Sequence, residues 1–170
     1  MSISTVAYLN MQYSKYTIIG PNANHKLGYI PDDAIVCNYN DEINITTDKS
    51  VLILNGLVDA KIYCNVDTMS LILNNCNNIR VISSSLFQTV DVIYSSKCHV
   101  QLLCIGELNT VYSSDIIYRV FGQYDFKIDH CLNVEINGFD TLCNPFSYII
   151  RIPDGDSHHV GQYITIPELS

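Results

Sequence analysis

The sequence predicts an all-β protein folded as a right-handed parallel β-helix, a solenoid in which short strands wind into stacked coils. The first observation is composition, because 23 Ile, 13 Val and 12 Tyr stand against only 4 Ala and 4 Glu. Branched and aromatic residues fit pleated strands, whereas Ala and Glu favour helices. The 16 Asn and 13 Asp supply turns, since both residue types tolerate left-handed backbone.

The second observation is the regular spacing of short apolar segments. Turn residues such as Asn55-Gly56 and Asn137-Gly138 separate them, and most segment centres lie about 10 residues apart, as in sandwiches, barrels and solenoids. The predicted strands are 51–54, 61–64, 70–73, 79–82, 90–94, 99–103, 110–112, 116–121, 124–129, 134–137 and 148–152.

A repeat of about 20 residues, with two strands per coil, favours the solenoid. We interpret the turn-to-strand segments 75–79 and 96–100 as equivalent positions roughly one coil apart, and residues 129–134 repeat the pattern. Each coil of a solenoid stacks on its neighbours and buries a continuous apolar column. An antiparallel sandwich stays the alternative, because it shares the strand spacing.

The two ends of the chain are less regular. Residues 20–48 are predicted to wrap the first coil as a long connection, and residues 154–162 to form a polar loop before a final strand at 163–166. An open strand edge invites pairing, so a strand-mediated homodimer is one expectation for covering an end coil.

Length and charge bound the classes of function. The 170 residues are predicted to form one domain, 1–170, with its own core. A net charge of −8 disfavours nucleic acid and anionic membranes as partners, since both require basic surfaces. No apolar run approaches a membrane span, and residues 1–10 lack the order of a secretory signal. The expected location is the cytoplasm.

The seven cysteines are predicted to be reduced core residues. Their number is odd, their gaps are long and no CxxC pair occurs, so neither a disulfide framework nor a zinc site is indicated. Cys98-His99 is not expected to form a thiol–imidazole couple, because neighbours on a strand point to opposite faces. The same argument weakens a metal site among the Asp and His residues of 154–159, which we interpret as a solvated loop.

Catalytic chemistry is not indicated by any motif. The sequence has no phosphate-binding loop, dinucleotide fingerprint, nucleophile elbow or HExxH. Asp91, Asp125 and Asp129 lie in strand-like segments, where we expect them to face outward as solvated charges. The expectation is therefore a protein that is not an enzyme and binds no cofactor or metal.

A docking surface is the remaining candidate. Outward residues of successive coils align as ladders, and aromatic residues and arginine are enriched in protein interfaces. The alternative is that the tyrosine rings are buried and only their hydroxyls reach solvent. The residues in question are Tyr94, His99, Gln101, Tyr112, Tyr118 and Tyr124.

Several segments, in order along the chain, resemble the C-terminal domain of cyclase-associated proteins, an actin-monomer-binding β-helix. Residues 71–79 have the family's apolar strand followed by Asn-Asn-Cys, and residues 90–101 its Val-acidic-apolar strand, Ser-Lys turn and following strand. Residues 106–111 are similar to the family's next Gly-to-strand step. Residues 15–18 are similar to an early strand, and 148–153 and 164–168 are similar to two closing Ile-Pro segments.

The sequence also departs from the family. The helical domain, proline-rich segment and WH2-type motif of full-length members do not occur here, so the chain is similar to the minimal stand-alone form of apicomplexan parasites. Typical members continue beyond the last Ile-Pro-Glu into a hairpin that forms a strand-exchanged dimer, and this sequence lacks that extension. Residues 113–147 fit the family poorly and suggest an insertion.

The resemblance implies a cytoplasmic, cytoskeleton-associated protein that binds monomeric actin, favours its ADP-bound form, and regulates nucleotide exchange and filament turnover. Actin is itself acidic, so this acidic chain is expected to bind it through a small local patch. Arg80 and Lys97, with Tyr94, His99 and Gln101 nearby, are the residues expected to bind actin.

A sister family, which includes tubulin-folding cofactor C, has the same β-helix and stimulates GTP hydrolysis with an arginine. Such an arginine neutralises charge on the transferring phosphoryl group. The corresponding residues 84–89 contain the neutral Gln88, and no arginine occurs between Arg80 and Arg119. A GTPase accessory factor and a purely structural solenoid stay as alternatives.

Overall fold

Thirteen strands and no helix make up the part of the chain that the computed structural model describes, residues 15–23, 31–46, 51–65, 70–139, 147–153 and 158–163. These strands wind into a parallel β-solenoid with stacked coils of about 19 residues and roughly six turns, which confirms the predicted class. The strands are β1 (Lys15–Ile19), β2 (Ile35–Val36), β3 (Glu42–Ile45), β4 (Val51–Asn55), β5 (Val58–Cys64), β6 (Ser70–Asn74), β7 (Asn77–Ile93), β8 (Ser96–Val111), β9 (Ser114–Phe121), β10 (Tyr124–Asp129), β11 (Leu132–Phe139), β12 (Ser147–Ile152) and β13 (His158–Tyr163).

Two parallel sheets form the walls of the solenoid. Sheet 1 stacks β3, β5, the first halves of β7 and β8, then β9 and β11. Sheet 2 stacks β2, β1, β4, β6, the second halves of β7 and β8, then β10. The long strands β7 and β8 bend between the two sheets, and their pairing register shifts at the bend. The antiparallel strands β12 and β13 extend sheets 1 and 2 beyond β11 and β10.

The first coil contains more structure than the predicted long connection over residues 20–48. β2 and β3 lie within that range and pair with β1 and β5. β1 is placed between β2 and β4, although β2 follows β1 in the sequence. The Gly20 N–H donates to the Asn55 carbonyl at 2.9 Å, which continues the ladder beyond the end of β1. Sheet 2 therefore has one more described strand than sheet 1 at this end.

Each coil passes from sheet 2 to sheet 1 through a corner with two left-handed residues three positions apart. The first of each pair is Gly56, Asn75, Tyr94, Tyr112 or His130, and the second is Asp59, Asn78, Lys97, Asp115 or Asn133, with φ between 49° and 74°. Left-handed backbone costs most L-residues roughly 1–2 kcal/mol, and Gly, Asn and Asp tolerate it best. The corners therefore explain part of the high Asn and Asp content.

The column of buried side chains inside this corner corrects the alignment of residues 75–79 with residues 96–100. The Cys76 N–H donates to the Ser95 hydroxyl at 3.1 Å, so Ser95 is the counterpart of Cys76 one coil later. Cys98 instead pairs with Ile116 inside sheet 1. The alignment was wrong by two residues because the corner of this coil begins at Tyr94, and tyrosine carries no turn signal.

Two tyrosines of the expected docking surface are buried in the core. Tyr118 pairs with Val100 at an inward position, is fully buried, and its hydroxyl lies 2.5 Å from the Thr110 hydroxyl. Tyr124 is 2% exposed. The expectation that these rings lie on the surface is therefore wrong, since the alternation along β9 and β10 turns them inward.

The expectation for three aspartates holds only in part. Asp125 is exposed and Asp129 half-buried, but Asp91 is buried, so it is not a solvated charge. Burial raises the pKa of Asp91, while the Asn109 amide, which donates to its Oδ1 at 3.1 Å, acts in the opposite direction.

The last described coils are as regular as the earlier ones. Ser96 pairs with Ser114 and Ser114 with Leu132, so residues 113–139 keep a period of 18 without interrupting the stack of coils. His158 and His159 lie on β13, where a polar loop was expected. Residues 140–146, 154–157 and 164–166, where the rest of these expectations fall, lie outside the described residues.

Candidate functional site

Sheet 1 carries positively charged side chains in every coil from β5 to β9. Register pairing places Lys61, Arg80 and His99 in line across β5, β7 and β8. Lys97 lies at the corner two residues before His99, and Arg119 lies on β9 in the next coil. Neighbouring strands are about 4.8 Å apart, so these groups follow one another along the solenoid axis. We call Lys61, Arg80, Lys97, His99 and Arg119 the cationic strip.

The strip concentrates positive charge on a chain whose net charge is −8. Most Lys and Arg side chains that the structure describes belong to sheet 1, namely Lys61, Arg80, Lys97, Arg119 and Arg151. The other described one, Lys127, lies on β10 of sheet 2. Such an asymmetry creates a local positive field that the net charge conceals.

One ion pair includes Lys61, the first residue of the strip, and a second lies beyond the other end of the strip. The Lys61 Nζ lies 3.7 Å from Glu42 Oε1, and the Arg151 Nε lies 2.9 Å from Glu135 Oε1. Hydrogen bonds from Asn137 and Arg151 hold the pKa of Glu135 below its ordinary value. Positive charge at both ends of sheet 1 is therefore partly neutralised.

The centre of the strip is not neutralised in this way. Arg80, Lys97 and His99 are exposed, and none of them forms an ion pair with any residue in the described ranges. These three side chains line an open groove of about 570 Å³, and Arg80 and His99 also line an adjoining groove of about 130 Å³. Exposed positive charge without an ion pair in the described ranges therefore clusters at the middle coils of sheet 1.

Lys97 is unusual for its place in the fold. Its backbone is left-handed, with φ of 55°. The equivalent positions of the other described coils are Asn40, Asp59, Asn78, Asp115 and Asn133. Some of these side chains bond along the column, since Asn78 Nδ2 donates to Asp59 Oδ1 at 2.7 Å and Asn133 to Asp115 at 2.8 Å. A strained residue without such a bond points to a functional role.

The Lys97→Asn variant is therefore expected to have a higher free energy of unfolding than the wild type. Asn tolerates left-handed backbone, so the free energy of unfolding should rise by about 0.5–1 kcal/mol. Urea unfolding followed by circular dichroism measures this. Asn133→Lys makes the reverse exchange at an equivalent corner and should lose stability. Equal or lower stability of Lys97→Asn would contradict strain at Lys97.

Tyr94 belongs to a different feature, an exposed aromatic ladder at the other side of the corner. The rings of Tyr94 and Tyr112 stack with centroids 5.5 Å apart, and Tyr112 stacks on His130 at 5.0 Å. His130 Nδ1 also lies 2.7 Å from Asp129 Oδ1. Stacking offsets part of the strain that left-handed backbone imposes on these residues. Tyr94 does not line either groove of the strip.

The other predicted site residues lie together on sheet 1, namely Arg80, Lys97, His99 and Gln101. Sequence reasoning missed two members of the strip, Lys61 and Arg119. Lys61 lies one 19-residue period before Arg80, and Arg119 one 18-residue period after Gln101, so their pairing follows from the coil length. A consistent alignment of the repeats would have found both.

The six cysteines within the described residues are free and buried, as predicted. Burial raises the pKa of Cys98 from 9.0 to about 12 and that of Cys104 from 9.0 to about 11. Burial also raises the pKa of Cys76. Thiolate chemistry is therefore suppressed at these positions, and the thiols act as small core side chains.

These raised pKa values predict a loss of stability in alkali. Unfolding exposes thiols that ionise from about pH 9, whereas the folded thiols stay neutral, so stability falls as pH rises from 9 towards 11–12. Each such thiol contributes up to about 1.4 kcal/mol per pH unit in this window. Urea unfolding at several pH values measures the slope. Cys98→Val should show a shallower slope, and an unchanged slope would contradict this account.

Neither a metal centre nor a membrane span is found in the part of the chain that the structure describes. No group of three or more His, Cys, Asp or Glu side chains there could hold a metal ion, and no helix there is long and apolar enough to cross a membrane. No protein-family model and no curated protein matches the chain. The fold and the site thus define its class as a parallel β-helix with a cationic sheet face.

Proposed function

We propose that this protein binds an acidic protein surface through the cationic strip, and that monomeric actin is this partner. The observation that carries the proposal is the uncompensated charge of Arg80 and Lys97 on sheet 1, where the exposed imidazole of His99 lies in line with Arg80. Uncompensated surface charge steers an oppositely charged partner and selects against like-charged ones.

The shape of the site supports a macromolecular partner. The strip crosses four strands, and three strand spacings correspond to roughly 14 Å. It lies on a sheet whose parallel neighbours hold it in register, so its cations keep their spacing without a partner. A shallow, rigid and extended charged face suits a protein surface better than a small ligand, which prefers an enclosed cavity.

The resemblance to cyclase-associated proteins supports actin as the particular partner. It predicts a β-helix, which the chain forms, and it directs attention to Arg80 and Lys97, which lie at the centre of the strip. On this proposal the protein binds actin monomers in the cytoplasm, sequesters or recycles them, and regulates nucleotide exchange and filament turnover. The role needs no catalytic residue in this chain.

Polymerisation of pyrene-labelled actin tests the proposal directly. Increasing amounts of the protein should suppress polymerisation in a dose-dependent manner. A fluorescence titration with ADP-actin and ATP-actin monomers then measures the two affinities, and tighter binding of ADP-actin is expected. An unchanged polymerisation rate at high molar excess would reject actin as the partner.

A homodimer stays a separate prediction. β12 and β13 are the terminal strands of the two sheets within the described residues, and terminal strands present unpaired backbone groups. Sedimentation velocity of the free protein distinguishes a monomer from a strand-mediated dimer.

A further inference from the structure

We infer that the cationic strip recognises one short, extended acidic segment of its partner, laid along the solenoid axis. This inference rests on the proposed function, because both use the same strip, but it concerns the chemistry of the bound segment and does not require actin. The occupant is a run of consecutive Asp or Glu residues in extended conformation.

The spacing of the strip supports an extended occupant. Lys61, Arg80 and His99 are register partners on consecutive strands, so their side chains recur at about 4.8 Å. Lys97 and Arg119 lie on either side of this line. Side chains of an extended peptide alternate between its two edges, so a peptide laid along the central line directs alternate carboxylates to its two flanks, where Lys97 and Arg119 lie.

The length of the strip limits the number of carboxylates that it can bind. Its span of roughly 14 Å matches about four or five residues of an extended chain. Beyond the strip the face becomes acidic, because Asp41 and Glu42 line the N-terminal end of the larger groove and Glu42 precedes Lys61 in line on β3. At the other end, Glu135 follows in line beyond His99 and Ile117. A longer acidic run would meet like charge at both ends.

Lys97 gives the strip its width at the corner. The equivalent position of the other corners is Asn or Asp. Either residue in place of Lys97 would remove a positive charge from the edge of the strip and relieve the strain of the left-handed backbone. The strained lysine is explained if its ammonium group binds a carboxylate that Arg80 and His99 do not reach. The smaller adjoining groove, lined by Arg80, Gln101 and Arg119, extends the same surface to the next coil.

Fluorescence anisotropy with labelled peptides tests this inference. The probe has about five consecutive Glu residues between Gly-Ser flanks, to match the strip length. A control peptide with Gln in place of Glu should not bind. A peptide with twice as many Glu residues can bind in several registers along its length, so its affinity should exceed that of the probe by no more than about twofold. Binding should weaken steeply with salt.

Charge-removing variants assign the peptide to the strip. Arg80→Gln and Lys97→Asn should each weaken binding at least about threefold, whereas Lys127→Gln, which removes an exposed lysine from sheet 2, should not. No binding of the Glu peptide, or equal weakening by Lys127→Gln, would overturn the inference. Steadily increasing affinity with each added Glu would also overturn it, because the acidic ends would then set no limit.

The two proposals can fail separately. Actin binding without peptide binding would overturn the acidic-segment inference and keep actin as the partner. Peptide binding without actin binding would support the recognition chemistry and reject actin.

Discussion

The Arg80→Glu, Lys97→Glu double variant is expected to lose most of its affinity for the acidic partner and to keep its fold. Both side chains are exposed, and neither forms an ion pair within the described ranges, so their replacement breaks no described ion pair. The two substitutions change the charge at the centre of the strip from positive to negative, so the strip repels the acidic partner that it attracts in the wild type. We expect a loss of affinity of at least about 30-fold at physiological salt.

An actin titration of the wild type and the double variant measures this loss, and circular dichroism confirms the fold. Lys127→Glu is the matched control, because it reverses the charge of an exposed lysine on sheet 2. The control should bind like the wild type apart from a small effect of net charge. If the double variant and the control bind equally well, sheet 1 is not the binding face.

Gly56→Ala is expected to destabilise the first coils severely. Gly56 has φ of 74°, and a Cβ added there would lie 2.0 Å from the backbone nitrogen of Ala23 and 2.1 Å from the carbonyl carbon of Asn22. These are backbone atoms, and the Asn22 N–H donates to the Gly56 carbonyl at 2.8 Å. The methyl group therefore adds left-handed strain and separates two coils, with an expected loss of about 3 kcal/mol or more.

Urea unfolding followed by circular dichroism measures this loss, or shows directly that the variant does not fold. Asn75→Gly is the matched control at the equivalent corner one coil later. It loses the hydrogen bond from Asn75 Nδ2 to the Asn22 carbonyl, but it also relieves left-handed strain, so its stability should change by less than about 1 kcal/mol. If Gly56→Ala unfolds at the same urea concentration as the wild type, the two coils can separate at Gly56 without loss of stability, and the prediction is wrong.

The fold class could be predicted because each coil repeats the same local requirements. Apolar residues alternate along several strands or follow one another directly, as in β4 and β6, and Asn, Asp or Gly occupies many of the left-handed corner positions. These requirements are local, so they leave a pattern in the sequence with a period close to the coil length. The two strands per coil follow from the same pattern, because turn residues separate most of the short apolar segments.

The details of stacking could not be predicted with the same success. At the corner from Tyr94 to Lys97, neither left-handed residue is a typical turn former, so the alignment of residues 75–79 with 96–100 was displaced by two residues. The side chain of Tyr118 was expected on the surface, but it is buried in the core, and the reason for this error is related. Its side depends on register with Val100 in the neighbouring coil, and its own sequence surroundings do not reveal that register.

The binding site shows the same division. Lys97, Arg80 and His99 were expected from the sequence and line one groove, but Tyr94 lies apart on the aromatic ladder. Lys61 was missed because it precedes Arg80 by 19 residues, and only the pairing of β5 with β7 brings the two side chains together.

By itself, the sequence determined a β-rich chain of short strands and repeated corners, and therefore a solenoid. The excess of Ile, Val and Tyr over Ala and Glu is a local preference that needs no partner coil to be recognised. Only the tertiary structure decided which of the few cations meet on one face. Coils of 18 and 19 residues stack in a register that no single segment encodes, and that register assembles the cationic strip on an acidic protein.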